Sequence, residues 1–157
     1  MNSRAFTIAI TPTDVSTAQD VAEISVPSNK AIEIEEIEFR FTEDVITNLP
    51  RIGLVTGHTT SGSGGITVVD NPLVGTGSDT PNSTIEVLNT TIASVGTTYL
   101  RDVWFCGYYH PIVRYFPDKQ RPIYYNSDGL IVFRFLDAPS ATVEFGGKIK
   151  LIEHSYN

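Results

Sequence analysis

Ser63 stands in the run Thr59-Thr60-Ser61-Gly62-Ser63-Gly64-Gly65 and is the first residue with the surroundings of a nucleophile. An activated serine on a strand-to-helix turn needs a glycine two residues to either side. Here Gly65 is in place, but position 61 is serine and no helical period follows. A phosphate-cradling loop needs a Gly-Lys-Ser/Thr ending that opens a helix, and no lysine lies between Lys30 and Lys119. The run therefore reads as a hydrogen-bonding surface loop. His58, His110 and His154 are widely scattered, and none forms the close ligand pair around which a zinc site is built. Cys106 is the only cysteine, so no intramolecular disulfide can form, and its place after Trp104-Phe105 fits a small buried hydrophobe. Asp70, Asp79, Asp128 and Asp137 fall in turns, where aspartate usually caps the backbone rather than binding calcium. No catalytic residue, metal ligand or cofactor is expected, and the chain is not expected to be an enzyme.

Aromatic residues are the more specific signal. Nine of the 16 fall between positions 99 and 125, interleaved with Arg101, Arg114 and Arg121. Tyr, Trp and Arg bury area while keeping a polar tip, which is why they dominate interface hot spots. Tyr108, Tyr109, His110, Arg114, Tyr115, Tyr124 and Tyr125 are the candidate interface residues. Two other uses of the cluster remain open at this level. Trp104 and Phe105 can be core with tyrosines along its edge, or the rings can stack on sugars.

The elements that must position these residues are strands. Period-two alternation recurs in short runs separated by turn residues: 6–10, 21–26, 32–41, 51–56, 66–69, 84–89, 98–105, 130–136 and 143–151. Pro12 is expected to close the first run, since it cannot donate to a ladder. In the third, Ile32 and Ile34 hold one parity and Ile37, Phe39 and Phe41 the other, which predicts a β-bulge at Glu35-Glu36. Asp137-Ala138-Pro139-Ser140 predicts a turn joining 130–136 and 143–151 as a central hairpin. Ile37, Phe39, Phe133, Phe135, Val143, Phe145 and Ile149 are the predicted core. Residues 1–157 thus read as one all-β domain, a jelly-roll-like β-sandwich of eight to ten short antiparallel strands. Between positions 56 and 84, 17 of 29 residues are Gly, Ser or Thr, and 57–65 and 75–82 are expected as exposed loops at one end.

With 157 residues, 41% hydrophobic and 18% charged, the chain can bury a real core. It has no run of the roughly 18 apolar residues that a bilayer helix needs, and no membrane partner is expected. Net charge is −7, which argues against a basic nucleic-acid-binding stripe. The sign is uneven: positions 1–100 carry −8 and positions 101–157 carry +1. The acids at 33, 35, 36, 38, 43 and 44 are expected to keep one sheet face solvated.

The run Val15-Ser16-Thr17-Ala18-Gln19-Asp20-Val21-Ala22-Glu23-Ile24-Ser25-Val26-Pro27 resembles the opening of a family of small β-rich virion-associated proteins of tailed phages and prophages, similar to head decoration proteins. So do Thr60-Ser61-Gly62-Ser63-Gly64-Gly65, the Asn89-Thr90-Thr91 turn and the segment from Leu130 through Ala138-Pro139 to Ile152. The region from Tyr108 to Tyr125 departs from that pattern in being more aromatic. The resemblance implies a structural protein without enzymatic activity, made in the host cytoplasm and bound to the outside of a phage head. Its implied partners are the major capsid protein and copies of itself, with a trimer as the expected oligomer. The alternatives are a carbohydrate-binding module of a tail or fibre, stacking sugars on Tyr108, Tyr109, Tyr124 and Tyr125, and a small jelly-roll capsid subunit. Because no ligand set has closed-site spacing, a chelator is expected to leave Tm unchanged. A fall of many degrees in a thermal melt would show that the turn aspartates hold calcium.

Overall fold

The strands pair in nested order, the first half of the chain with the second. The computed structural model describes residues 2–68, 71–72 and 83–156; the expected loop at 75–82 lies outside them, as do Asp70 and Asp79. Among the described residues the elements are β1 (Asn2–Val15), β2 (Asp20–Ser25), β3 (Lys30–Phe41), β4 (Arg51–His58), β5 (Ile66–Thr67), β6 (Asn71–Pro72), β7 (Thr84–Asn89), β8 (Tyr99–Phe105), β9 (Ile112–Tyr115), β10 (Ile123–Tyr125), a 3₁₀ turn (Asn126–Asp128), β11 (Leu130–Phe135) and β12 (Val143–Ser155). One sheet runs β10-β3-β12-β1-β6, with β9 also on β3, and the other runs β5-β7-β2-β11-β4-β8. Thus β1 pairs with β12, β2 with β11, β3 with β9 and β10, and β4 with β8, all antiparallel. β1 to β4 alternate between the two sheets, as in a jelly-roll-like all-β sandwich. Beyond that plan, β7 and β5 extend the free side of β2, and β6 touches the free side of β1.

Inward positions carry the predicted core. Phe39 meets Phe133 edge-on at 5.6 Å between ring centres, Phe41 stacks on Phe135 at 6.1 Å, and Phe135 meets Phe145 at 5.0 Å. Trp104 lies over Phe133 at 6.4 Å. The bulge in β3 is where the alternation slips: Glu36 pairs with Lys150 and Ile34 with Leu151, leaving Glu35 as the extra residue. Both halves of the strand therefore face the same core, with Ile32, Ile34, Ile37, Phe39 and Phe41 all buried.

Two expectations are corrected. Pro12 does not end β1, because the register shifts between Ile10 and Thr13 and a bulge absorbs a residue that cannot donate. Gly146 opposite makes room, since a Cβ there would lie 3.2 Å from the Pro12 ring. Nor do β11 and β12 form a hairpin: β11 lies between β2 and β4, and β12 between β3 and β1. The difference lies in burial. Ile131, Val132 and Phe133 are buried on both faces of β11, which requires a covered central strand in its own sheet, and the segment after Phe135 is long enough to cross the sandwich.

The cover over β11 is a layer made by segments 59–65 and 90–96, which bridge at Thr60 with Ser94 and Ser63 with Thr91. Beneath it Val55, Ala93 and Val132 form a small second core. Two buried carboxylates of β2 hold this layer down. Asp20, fully buried, accepts from the Ala93 amide at 2.6 Å and from Nη2 and Nε of Arg134, the first at 2.9 Å. Arg134 Nη2 also donates to the Ala93 carbonyl at 2.8 Å, and Nη1 to His58 Nε2 at 3.1 Å. An arginine can only donate, so His58 Nε2 accepts and its Nδ1 proton points to the Val95 carbonyl, 3.3 Å away. Glu23 accepts from Ser61 Oγ at 2.6 Å and from the Gly62 amide at 2.9 Å. The expected loop at 57–65 is therefore exposed only from 59 onward. Gly57 and His58 belong to β4, His58 is buried, and the exposed part is tied down by Glu23.

Removing Asp20 leaves the Arg134 guanidinium enclosed without its counter-charge. Asp20→Ala is expected to cost about 3–5 kcal/mol of unfolding free energy in a denaturant titration, whereas the joint replacement Asp20→Leu with Arg134→Met recovers most of it. A near-neutral single variant would show that the pair does not anchor the layer.

Candidate functional site

Gly107 and His110 exchange two backbone bonds, Gly107 N–H to the His110 carbonyl at 3.0 Å and His110 N–H to the Gly107 carbonyl at 3.1 Å. They close a tight turn between β8 and β9 with Tyr108 and Tyr109 at its tip. The two rings meet edge-to-face at 4.8 Å. Tyr109 donates its hydroxyl to Asp44 at 2.8 Å, and this bond to a carboxylate raises the phenol above its ordinary value. Gly107 packs closely on the Leu49 side chain, whose Cδ2 lies 2.5 Å from where a Cβ at 107 would stand. The segment before β4 thus props the turn from below, and both tyrosine rings are presented on a fixed base.

On either side of the turn the strands alternate. Trp104 turns in against the core while Phe105 turns out, 61% exposed. In β9, Ile112 is buried, and Val113 and Tyr115 face outward at 65% and 57%. With Tyr108 at 41% and Tyr109 at 72%, five large apolar side chains stand exposed between positions 105 and 115. They line a ridge that passes over the β8–β9 corner from one outer face, where Phe105 lies beside Arg51, to the other, where Val113 and Tyr115 lie beside Glu38 and Glu36. His110 is exposed in the turn. Arg114 lies on the other face of β9 from Tyr115, with its guanidinium 5.4 Å from the Phe116 ring.

The remaining candidates separate. Tyr124 is only 7% exposed and belongs to the core, which removes it from both the interface set and the proposed sugar platform. Burial pushes its phenol above the usual value, and Arg101 lies 5.9 Å over its ring. Tyr125 is half-exposed and stacks on Tyr156 at 5.8 Å. It shares an edge of β3 with Tyr115, but β10 pairs with Ala31 to Glu33 and β9 with Glu36 to Phe39. Between them Arg121 clamps the chain, donating to Glu33 at 3.0 Å, Glu35 at 3.1 Å and the Phe116 carbonyl at 3.2 Å. Phe105 and Val113 are the members of the ridge that sequence reasoning missed. The in–out alternation of 103–105 and 112–116 was the available signal for both.

The acids of β3 are paired rather than merely solvated. Glu36 lies 2.8 Å from Lys150 and 3.4 Å from Lys148, and Glu38 bridges Lys148 at 3.4 Å and Arg40 at 3.2 Å. Lys148 and Lys150 of β12 thus lie across from Glu36 and Glu38 of β3, which offsets part of the charge asymmetry along the sequence. Glu33 accepts from Arg121 and contacts His154 Nε2 at 2.6 Å, and Ser3 Oγ lies 2.8 Å from His154 Nδ1. Serine, imidazole and carboxylate thus stand in a row. At His154, however, β12 is paired on both sides, with Ser3 and with Ala31, so its backbone donors belong to ladders and are not free to stabilise an oxyanion. Burial raises the Cys106 thiol to about 12, far from the thiolate that a nucleophile requires. Among the described residues no group of three or more His, Cys, Asp or Glu is arranged to hold a metal ion, and no helix is long and apolar enough to cross a membrane.

No family model matches the chain, and no curated protein matches it. Among solved structures it is similar to the VP2 protein of infectious bursal disease virus, as the D431N mutant in derived T=1 particles. That match has 13% identity and a TM-score of 0.24 over 99% of this chain and 41% of the other. It is likewise similar to the structure of the Gt strain of that virus, at 14% identity and a TM-score of 0.24 with the same coverage. The chain spans about two fifths of the length of those proteins.

The paired carboxylates set a pH dependence. Burial alone would raise Glu33, but its bonds from His154 and Arg121 outweigh that and hold it below 4.5. The Lys150 bond does the same for Glu36. A carboxylate depressed on folding stabilises the fold above its unfolded pKa, and this is lost as pH falls through the folded value. Tm is expected to hold steady above about pH 5 and to fall below about pH 4.5, with Glu36→Gln flattening part of that acid limb. An unchanged acid limb in Glu36→Gln would show that the ladder is not coupled to folding.

Proposed function

We propose that this chain is a non-enzymatic structural protein of a tailed-phage virion, a decoration protein bound to the outside of the head through the ridge at positions 105–115. The ridge carries the reading. Five large apolar side chains exposed within eleven residues, two of them on a propped turn, are the surface chemistry of a protein contact. A rigid presentation lowers the ordering cost of association. Jelly rolls serve in viral capsids and in lectins alike, so the fold is compatible with this use without selecting it. The resemblance of the 15–27, 60–65, 89–91 and 130–152 segments to phage virion proteins supports the same reading. Copies joined as a trimer at a local threefold would tie neighbouring shell subunits together, adding interface where internal pressure pulls them apart.

Occupancy on purified heads is the decisive measurement, read beside the thermal melt of the free protein. Tyr109→Ala is expected to lose about thirtyfold in affinity for heads, on the order of 2 kcal/mol, with an unchanged melt. Phe135→Ala is expected instead to lower the melt, through a cavity costing about 3–5 kcal/mol. If Tyr109→Ala binds heads normally, the ridge is not the contact. If the protein closes into shells by itself, it is a small jelly-roll capsid subunit rather than a decoration.

A further inference from the structure

The ridge lies where β4 begins and β8 ends. At the other ends of these strands three cavities of about 600, 220 and 320 Å³ lie side by side and share lining residues. All three are lined by Thr59. The first and second share Asn126 and Gly129, and the second and third share Ser25 and Leu130. They form one groove, from Tyr99, Arg101 and Asp128 at one end to Glu23 and Glu86 at the other.

We propose that this groove binds a neutral oligosaccharide. Its lining offers donors and acceptors together. The hydroxyls of Thr59, Thr97 and Ser127 have no partner among the described residues. Arg101 uses Nε on Thr56 Oγ1 at 2.8 Å and lies 3.8 Å from Asp128, which leaves terminal N–H groups for a ligand. Hydroxyls, a guanidinium and carboxylates match a ligand whose own groups both donate and accept, as every sugar hydroxyl does. A polyanion is disfavoured, because Glu23, Glu86 and Asp128 face a single arginine. An apolar ligand would bury these polar groups unpaired. Tyr99, 54% exposed with Arg101 5.0 Å from its ring centre, supplies a ring held in place for stacking on a pyranose.

Two of the lining glycines are held in the left-handed region, Gly57 at φ 101° and Gly129 at 74°. Gly96, next to the lining residue Thr97, has φ of 90°. A Cβ at Gly57 would run into the Thr97 carbonyl, and one at Gly96 into the Gly57 carbonyl. Val95, a β-branched residue, is held at φ 61°, a strained conformation that persists only where its surroundings enforce it. A site formed in advance avoids part of the ordering cost of binding. The groove does not depend on the ridge or on a virion role.

The test is an NMR titration of isotope-labelled protein with maltohexaose, cellohexaose and chitohexaose separately. Saturable shifts are expected with at least one of them, confined to amides of residues 57–59, 97–101 and 126–130. Tyr99→Ala is expected to weaken binding about tenfold with an unchanged melt, and Tyr109→Ala to leave it untouched. The proposal is overturned if none of the three gives a saturable shift at millimolar concentration. It is equally overturned if the shifts centre on Tyr108 and Tyr109, or if Tyr99→Ala binds as tightly as the wild type.

Discussion

The phenylalanines of β3 and β11 meet across the space between the two sheets, and the rest of the molecule is arranged around that contact. Facing sheets lie about 10 Å apart, a gap that large side chains from both must fill. Phe39 and Phe41 from one side, Phe133 and Phe135 from the other, with Phe145 and Trp104 at their margins, fill it. Because side chains alternate along a strand, placing these rings inward forces their neighbours outward. Glu38 and Arg40 emerge on one outer face, where Lys148 meets Glu38. Arg134 emerges on the other, beneath the covering layer, where it meets Asp20 of β2 and His58 of β4. The outer chemistry of both sheets is a consequence of the inner packing.

The two outer faces solve the charge problem differently. The face bearing β3 and β12 stays open, and its carboxylates meet lysines in cross-strand pairs, each of small worth at a solvated surface. The face bearing β2 and β11 is roofed, and its carboxylates receive backbone amides and a guanidinium instead, where a lost partner is expensive. Glu23 and Asp20 therefore act as architecture. They convert a segment rich in Gly, Ser and Thr, with little to bury, into a fixed layer whose margin carries the groove.

Strand existence was legible because alternation is local. The bulge at Glu35, the core parity of Phe39, Phe133, Phe135 and Phe145, and the limits of β7 follow from period two alone. Alternation states which residues share a face, but not which sheet a strand joins or which of its faces is inside. For that reason 130–136 and 143–151 read as a hairpin although they lie in opposite sheets. For the same reason Tyr124 and Tyr125, adjacent in sequence, read as one surface although one is core. The partner of an outward polar residue is equally non-local: Arg134 was visible as an exception in an apolar run, whereas Asp20, 114 positions away, could be matched to it only once β2 and β11 were neighbours. Of the candidate site, the turn at Tyr108 and Tyr109 was read directly, whereas the exposure of Phe105 and Val113 was carried by alternation but follows only once the inward faces of β8 and β9 are known.

Nested pairing also decides the order in which this chain can fold as it is made. The long partner of β1 is β12, whose last residue is Ser155, and β12 is also the strand that joins β1 to β3. At roughly 5–20 residues per second, a ribosome would hold β1 and β3 without their central strand for about 6–23 seconds. Almost every ladder closes a long loop, which makes folding slow in its own right. Through that interval β3 shows water one apolar face and one lined by Glu33, Glu36 and Glu38. Negative charge at that density keeps a waiting strand from pairing with the same strand of a neighbouring nascent chain. The lysines that later neutralise it are themselves part of β12, so the repulsion is withdrawn by the strand that completes the sheet.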